Sequence, residues 1–196
     1  QGPADATFGL GYVRALLATG ISNSVRASYW QKYFVHRAVR PEAYGGLAHY
    51  RLANGVSDYP LHDNFLKSEA LDRSKAKYGT YLLSQTYPEA APFHSTYPGG
   101  ATGVGAVTAT ILKAFFDESR VVANPVQPDP ADPTRLVPYS GPPLTVGGEL
   151  NKLAVNFGFG RNWAGIHWRS DASASMAIGE EVAIGTVIAR LDESAA

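Results

Sequence analysis

The sequence lacks cysteine, an excess of charge of either sign, and any long uninterrupted apolar run. Without thiols, disulfides, thiolate nucleophiles and zinc–thiolate sites are excluded. Seventeen basic residues balance seventeen acidic ones, so no general attraction to nucleic acid or to an anionic membrane is expected. An anion site would have to be a local cluster of cations. No uninterrupted run reaches the roughly 18 apolar residues of a membrane helix, so no membrane span is predicted.

The composition that is present fits one globular domain. The chain has 196 residues, of which 45% are hydrophobic, and this is enough to bury a core. We therefore treat residues 1–196 as a single domain. Apolar spacing at helical intervals predicts an all-α bundle joined by long, proline-rich loops. The helices are predicted over Ser24–Val39, Asn64–Tyr78, Ala101–Phe116, Thr145–Gly158 and Ser170–Arg190.

Caps and breaks follow from local chemistry. Ser22, Asn23 or Ser24 is expected to cap the first helix, and Pro41 is expected to end or bend it. Asp63 or Asn64 is expected to cap the second. The glycine-rich stretch 157–160 is interpreted as a turn before the last helix. The proline-rich segment Val121–Pro143 is interpreted as a surface excursion that could contain two short strands.

Three separated clusters contain the polar groups that could carry chemistry. Lys32, His36 and Arg40 are spaced to share one helix face, which is either a solvated basic face or part of an anion site. The Gly99-Gly100 pair precedes a predicted helix, whose first amide groups could meet an anion, although such turns are common without a ligand.

The third cluster runs from Arg161 to Asp171. At i, i+4 the Asp171 carboxylate can accept a hydrogen bond from one nitrogen of His167, which leaves the other as a lone pair for a metal. Arg161 offers a planar fork suited to an oxyanion. The alternative is an ordinary hydrogen-bonded histidine beside an ion-paired aspartate. Together, the three clusters contain what a buried tetrahedral oxyanion requires.

Three segments resemble the vanadium-dependent haloperoxidases, especially the C-terminal part of the algal bromoperoxidases. They are Trp30–Gly46, His94–Asp117 and Gly148–Asp171, and the likeness extends over about Phe8–Leu191. The resemblance implies a helical bundle like that of the type-2 phosphatidic acid phosphatase superfamily. It also implies vanadate as the cofactor, at a site that phosphate could also occupy, with hydrogen peroxide and a halide such as bromide as substrates.

Residue roles are carried over from the resemblance position by position. Lys32, Arg40 and Arg161 would bind the vanadate oxygens, Gly99 and Gly100 would lie at the same site, and His167 would be the vanadium ligand. The family's Pro-Ser-Gly-His motif reads Pro98-Gly99-Gly100-Ala101 here, so its serine and its acid–base histidine are both missing. His94 matches another histidine near the family's site and is the candidate substitute.

This departure keeps three functions open: a haloperoxidase with impaired turnover, a phosphatase in which His167 attacks phosphorus, and a non-catalytic subunit that binds an oxyanion or is structural. Algal members are much longer, so either the chain is a fragment, or a homo-oligomer or a partner chain is expected to supply the missing bundle. The resemblance suggests an extracellular or periplasmic location. His49 and His62 are expected to be surface groups, and Arg169 to form a peripheral ion pair with Asp171.

Overall fold

A computed structural model describes residues 8–195 of the chain, with side chains described up to residue 190. In chain order its helices are α1 (Leu10–Trp30), which continues as a π-helical segment (Gln31–His36), α2 (Pro41–Asn54), α3 (Asp63–Leu66), α4 (Glu69–Tyr78), α5 (Gly100–Phe115), α6 (Val146–Trp163) and α7 (Arg169–Ala195). Two strands, β1 (Val126–Pro128) and β2 (Leu136–Pro138), pair antiparallel. The all-α prediction is confirmed.

Helix α5 is the centre of the bundle. It packs against α1, α6 and α7, and a core of Leu16, Val107, Ile111 and Ala183 lies where α1, α5 and α7 meet. Small residues allow this close packing: a Cβ atom at Gly20 would lie 2.5 Å from the Ile111 side chain. The apolar sequence of α5 therefore reflects burial, as its lack of alternation predicts.

The first predicted helix is wrong in its start and in its end. It begins at Leu10 behind Gly9, not at Ser24, and Ser24 is fully buried inside the bundle instead of capping the chain. Sequence reasoning overlooked the first turns because their apolar positions are interrupted by Arg14 and Thr19. The helical segment ends at His36, where Arg37 adopts a left-handed conformation (φ 47°).

Pro41 begins α2, which the sequence analysis did not predict. Proline at the first helical position fits because its missing amide hydrogen would be unpaired there. The pair Gly45-Gly46 lowers the helix propensity of this segment, so the sequence did not indicate a helix there. Gly45 is needed for packing, since a Cβ atom there would lie 2.6 Å from the Leu83 backbone nitrogen.

The predicted helix Asn64–Tyr78 is two helices. It breaks at Lys67 and Ser68, and α4 begins after Ser68. The cap of α3 is His62, whose Nδ1 accepts a hydrogen bond from the Asn64 amide at 3.1 Å, so the predicted caps Asp63 and Asn64 are wrong.

Helix α6 is longer than predicted because the glycine-rich stretch 157–160 does not form a turn. Thr145 caps its start, as the predicted boundary implies, with its hydroxyl accepting from the Gly148 amide at 3.1 Å. The helix then continues to Trp163. Gly158 is in contact with α5, where a Cβ atom would lie 2.7 Å from the Thr102 side chain. The glycine is therefore used for helix–helix packing.

The predicted surface excursion and its two short strands are confirmed by β1 and β2. Helices α5 and α7 begin within one residue of their predicted starts, and α7 extends beyond Arg190 to Ala195.

Among the described residues, one helical segment, Arg169–Arg190, is long and apolar enough to cross a membrane by length and composition. The helix packs against α1 and α5, and one helix of this kind is weak evidence for a membrane span, because core helices pass the same test.

Replacing Gly179 by alanine tests the close packing of α7 on α5. A Cβ atom at Gly179 would lie 2.7 Å from both the Ala106 Cβ and the Gly103 carbonyl oxygen. We expect Gly179→Ala to lower the free energy of unfolding by about 1–3 kcal/mol. The matched control is Gly185→Ala on the same helix, where nothing lies within 4 Å, and it is expected to stabilise by about 0.5–1 kcal/mol. Equal denaturant midpoints for the two variants would contradict the packing.

Candidate active site

Five of the predicted site residues line one cavity of about 610 Å³ at the start of α5: Arg40, His94, Gly100, Arg161 and His167. They come from the three clusters of the sequence analysis, which the bundle brings together. The opposite wall of the cavity is largely apolar. Lys32 lies behind Gly100, where a glycine Cβ would be 3.9 Å from the lysine Cε, and it borders a neighbouring cavity that also contains Arg40.

Arg40 is the most extensively bonded residue of the site. It precedes α2 in extended conformation, so it does not share a helix face with Lys32 as the spacing predicted. Its Nε donates to the His94 carbonyl at 2.9 Å and its Nη1 to the Ile166 carbonyl at 2.8 Å. The side chain is nearly buried, so its charge acts in a medium of low dielectric constant. The burial of Arg40 lowers the pKa of its guanidinium.

His167 has a defined hydrogen-bonding state. Its Nδ1 lies 2.8 Å from Oδ2 of Asp171, as the i, i+4 spacing predicts, and its Nε2 lies 3.1 Å from Nη1 of Arg40. Guanidinium can only donate, so Nε2 must be the acceptor and Nδ1 carries the hydrogen. Burial lowers the pKa of His167 below 6.5, and Asp171 offsets only part of this. The imidazole is therefore neutral at pH 7, with a lone pair on Nε2.

Asp171 is held by more partners than the sequence indicated. Its Oδ2 accepts from His167, from the Thr96 hydroxyl and from the Trp168 amide. Burial opposes ionisation, but these hydrogen bonds outweigh it and hold the pKa of Asp171 below its usual value. Thr96 is fully buried and was missed by sequence reasoning. The only signal for it was its position two residues after His94.

Lys32 is a fully buried ammonium. Its Nζ donates to the carbonyl oxygens of Ser95 and Thr96, at 2.6 and 3.0 Å. Burial, together with the charge of Arg40, lowers its pKa from 10.5 to about 8, while Asp171 acts in the opposite direction. The ammonium therefore costs free energy in the folded state unless an anion offsets it.

This lowered pKa predicts a pH dependence of stability. Because the unfolded state binds the proton more tightly, the free energy of unfolding should rise between pH 8 and 10.5, by up to about 1.4 kcal/mol per pH unit. Below pH 8 the full cost of the buried charge is present. Lys32→Met should lack this rise. Denaturant unfolding of both proteins at several pH values in this window measures the difference, and parallel curves would contradict it.

The two glycines at the start of α5 differ in what their amides contact. The Gly99 amide donates to the Asp171 carbonyl at 3.2 Å, so this hydrogen bond joins α5 to α7. Gly100 is the first residue of α5 and lines the cavity, where the amides of a first helical turn lack intrahelical partners. The positive end of the α5 dipole therefore faces the cavity at Gly100.

Arg161 is positioned by the last turn of α6. Its guanidinium carbon lies 4.7 Å from the centre of the Phe157 ring, and within the described part of the chain it has no hydrogen bond or ion pair. The N–H donors of Arg161 are thus available to a ligand.

His94 is held between an aromatic ring and a guanidinium. The ring of Tyr29 packs against His94 at 5.5 Å, while the Nδ1 of His94 lies 3.0 Å from Arg40 Nη2. Burial lowers the pKa of His94 below 6.5.

Three residues that the sequence analysis placed outside the site, His49, His62 and Arg169, agree only in part with the structure. His62 is exposed as predicted, but His49 lies within α2 and its Nδ1 accepts from the Tyr81 amide at 3.3 Å. Arg169 is exposed, and the inward-facing Asp171 forms no ion pair with it. Among the side chains that the structure describes, up to residue 190, no group of three or more histidines and carboxylates could hold a metal ion.

The donor set fits an oxyanion. The guanidinium of Arg161 and the N-terminus of α5 can donate to oxygens. Arg40 could donate as well by exchanging its hydrogen bond to His167 for one to the anion, which would free the Nε2 lone pair of His167 for a central atom. Ala101 also lines the cavity and presents only a methyl group. The site can therefore hold an oxyanion, while one position near it lacks a proton-transfer group.

Comparison with known proteins agrees with the fold. The chain belongs to the family described as the VCPO second helical-bundle domain, whose model matches residues 14–191. It is 37% identical over 197 residues to a vanadium-dependent bromoperoxidase of Corallina officinalis, covering 91% of this chain and 33% of that protein. A vanadium-dependent bromoperoxidase of Ascophyllum nodosum is 38% identical over 176 residues, covering 83% and 31%.

A solved structure shares the architecture. It is titled as the homohexameric structure of the second vanadate-dependent bromoperoxidase (AnII) from Ascophyllum nodosum. The TM-score is 0.76 at 31% sequence identity, covering 90% of this chain and 34% of that one. The family resemblance inferred from sequence is thus confirmed. The chain spans about a third of the length of the curated relatives it matches.

Proposed function

We propose that the cavity binds vanadate and that the loaded protein uses hydrogen peroxide to oxidise bromide or a related halide to hypohalous acid. The observation that carries the proposal is the convergence of Arg40, Arg161, the start of α5 and the neutral Nε2 of His167 on one cavity. Bound vanadate supplies the Lewis acidity that activates peroxide. The similarity to vanadium-dependent bromoperoxidases supports this proposal.

The residues of this chain hold the cofactor. Arg161 and Arg40 donate to vanadate oxygens, Gly100 offers its amide, and His167 is the ligand to vanadium through Nε2. Asp171 keeps the hydrogen of His167 on Nδ1, so Nε2 has a lone pair; that lone pair accepts from Arg40 in this structure and would turn to vanadium when Arg40 donates to a vanadate oxygen instead. Lys32 adds positive potential from behind Gly100, and an oxyanion would in turn offset the cost of burying it. Phosphate would fit the same donors.

Proton transfer is the weak part of this site. Oxidation of one bromide by one peroxide to hypobromous acid and water consumes one proton. Ala101 cannot supply it. We propose that His94 does so in part, as a relay whose imidazole lies in the same cavity and first gains a proton from water before it gives one up. Burial lowers the pKa of His94, and this limits the role, because little of the imidazole is protonated near pH 7. Slow turnover is therefore expected.

The test is bromination of a phenolic dye by peroxide and bromide, with and without orthovanadate. We expect activity that depends on vanadate and that His167→Ala lowers by more than about 10–100-fold, the range seen when only an outer partner of a metal ligand is lost. The control is His62→Ala, which removes an exposed histidine away from the cavity. Equal activity of His167→Ala and wild type would contradict the proposal.

One observation favours a second candidate, a non-catalytic oxyanion-binding subunit. Ala101 removes a proton-transfer group and leaves the anion-binding donors in place. That candidate predicts tight binding of vanadate or phosphate without bromination.

The remaining alternative from the sequence analysis is a phosphatase. It would hydrolyse a nitrophenyl phosphate ester through attack by His167 and would be inhibited by vanadate.

We also propose that the protein acts as a homo-oligomer or with a partner chain. Many large apolar side chains are exposed in the described part of the chain, among them Trp30, Phe34 and Trp163 at 58, 69 and 82%. Exposed apolar surface of this extent is typical of an interface. We further propose a location outside the cytoplasm, which rests on the likeness to algal haloperoxidases alone.

A further inference from the structure

Thr96 contacts two separate parts of the candidate site. It is fully buried in the loop before α5, and its amide donates to the Ala38 carbonyl at 3.0 Å. Its own carbonyl oxygen accepts from Lys32 Nζ at 3.0 Å. Its hydroxyl lies against Asp171 and His167 at the start of α7. Thr96 therefore connects the buried ammonium to the histidine and its carboxylate.

The direction of each hydrogen bond at the Thr96 hydroxyl follows from its partners. The carboxylate of Asp171 can only accept, so the hydroxyl donates to its Oδ2. The hydroxyl oxygen lies 3.2 Å from Nδ1 of His167, which itself lies 2.8 Å from the same Oδ2. Because Nδ1 carries the hydrogen, both oxygens can accept from it. The three side chains therefore form a closed triangle of hydrogen bonds.

This triangle fixes the imidazole ring relative to the rest of the site. Asp171 lies four residues after His167 on the same stretch of chain, so it cannot by itself fix the ring relative to Lys32. Thr96 comes from a different stretch, and two carbonyl oxygens of that stretch accept from the ammonium. A second partner at Nδ1 also restricts rotation of the ring about its contact with Asp171. The direction of the Nε2 lone pair thus depends on the Thr96 hydroxyl.

We propose that Thr96 is a positioning residue, whose hydroxyl directs the Nε2 lone pair of His167 toward the bound oxyanion. The hydroxyl lies on the Nδ1 side of the imidazole, so it acts through His167 and not on the anion itself. The inference rests on the proposed function for the identity of that anion. Loss of such an outer partner typically lowers the affinity for a metal by about 10–100-fold.

Two variants of this position separate the hydroxyl from the volume of the side chain. Thr96→Val removes the hydroxyl and nearly keeps the shape, while Thr96→Ser keeps the hydroxyl. Orthovanadate affinity is measured by equilibrium dialysis on proteins with matching circular dichroism spectra. We expect Thr96→Val to bind about 10–100-fold more weakly and Thr96→Ser to bind like the wild type.

The matched control is a second buried threonine. Thr186 of α7 is 6% exposed, and its hydroxyl donates to the Val182 carbonyl at 2.7 Å, on the part of the helix that lies away from the cavity. Thr186→Val also removes one buried hydroxyl. It is expected to leave orthovanadate affinity unchanged, because a loss that is merely structural does not reach the anion site.

A second readout needs no anion. The Nδ1 proton of His167 should give a resolved NMR signal in the wild type, in Thr96→Ser and in Thr186→Val, because its acceptors slow exchange with water. The signal is assigned by its loss in His167→Ala. In Thr96→Val it should broaden, since one acceptor is gone and the ring rotates more freely.

Failure of the inference and failure of the proposed function are distinguishable. Equal vanadate affinity of Thr96→Val and the wild type, equal losses in both Thr96 variants, or an equal loss in Thr186→Val would overturn the inference. A wild-type protein that takes up no vanadate would overturn the proposed function, and the Nδ1 signal would then decide the inference alone. Selective broadening in Thr96→Val would support it, and an unchanged signal would overturn it.

Discussion

Ala101→His is expected to raise the turnover of bromide oxidation by about 10²–10⁴-fold, the usual contribution of one positioned acid–base group. Residue 101 lies in the first turn of α5 and lines the cavity that contains His167 and Arg161. An imidazole there would reach the space above the anion-binding donors. Steady-state bromination at saturating vanadate and peroxide measures the effect.

The control for this variant is Ala101→Asn, which adds a polar side chain that cannot transfer a proton near neutral pH. It should leave turnover near the wild-type level. The rate gain of Ala101→His should also make His94 dispensable, so that adding His94→Ala costs less in this background than in the wild type. A histidine variant that binds vanadate normally but turns over no faster would contradict the assignment of Ala101 as the limiting position.

Asp171→Ala is expected to lower the free energy of unfolding by about 3–5 kcal/mol, because it leaves buried cations without their counter-charge. Asp171 is 1% exposed and acts electrostatically on Arg40 and Lys32. The change also leaves three donors, from Thr96, His167 and the Trp168 amide, without an acceptor. Denaturant unfolding at pH 7 measures the loss.

Asp171→Asn separates charge from hydrogen bonding in this cluster. Oδ2 accepts all three hydrogen bonds, while Oδ1 is buried and has no partner among the described residues. An asparagine whose carbonyl occupies the Oδ2 position therefore keeps every acceptor contact, loses the charge, and places its amide nitrogen at the buried Oδ1 position, where no acceptor lies. It should be destabilised less than the alanine variant. Equal losses for the two variants would show that charge alone accounts for the effect, and no loss in either would contradict the proposed cluster.

How far the sequence predicted the fold depends on what each segment packs against. Helix α5 was predicted almost to the residue because it is buried on several sides and has an uninterrupted apolar sequence. Helix α2 was missed because Gly45 and Gly46 lower its helix propensity, although Gly45 is required by contact with Leu83. Gly158 was read as part of a turn for the same reason. Both errors arise from tertiary packing, which local propensity does not contain.

The candidate site was predicted more completely than the helix boundaries. The spacing of His167 and Asp171 gave the correct contact because both lie near the start of one helix. Arg40 lines the cavity, but not from the helix face that the spacing to Lys32 predicted. The helical segment ends before Arg37, which adopts a left-handed conformation, so Arg40 lies outside that helix. Thr96 could not be found, because a single buried hydroxyl beside a charged cluster leaves no pattern in the sequence.

The central claim is that this cavity binds one tetrahedral oxyanion through His167 and the surrounding cations. Equilibrium dialysis against orthovanadate at pH 8, where the bound metal is quantified, tests it most directly. We predict one vanadate per chain in the wild type and in His62→Ala, and a loss of bound vanadate in His167→Ala, compared at matching circular dichroism spectra. Equal vanadate uptake by all three proteins, or none by the wild type, would contradict it.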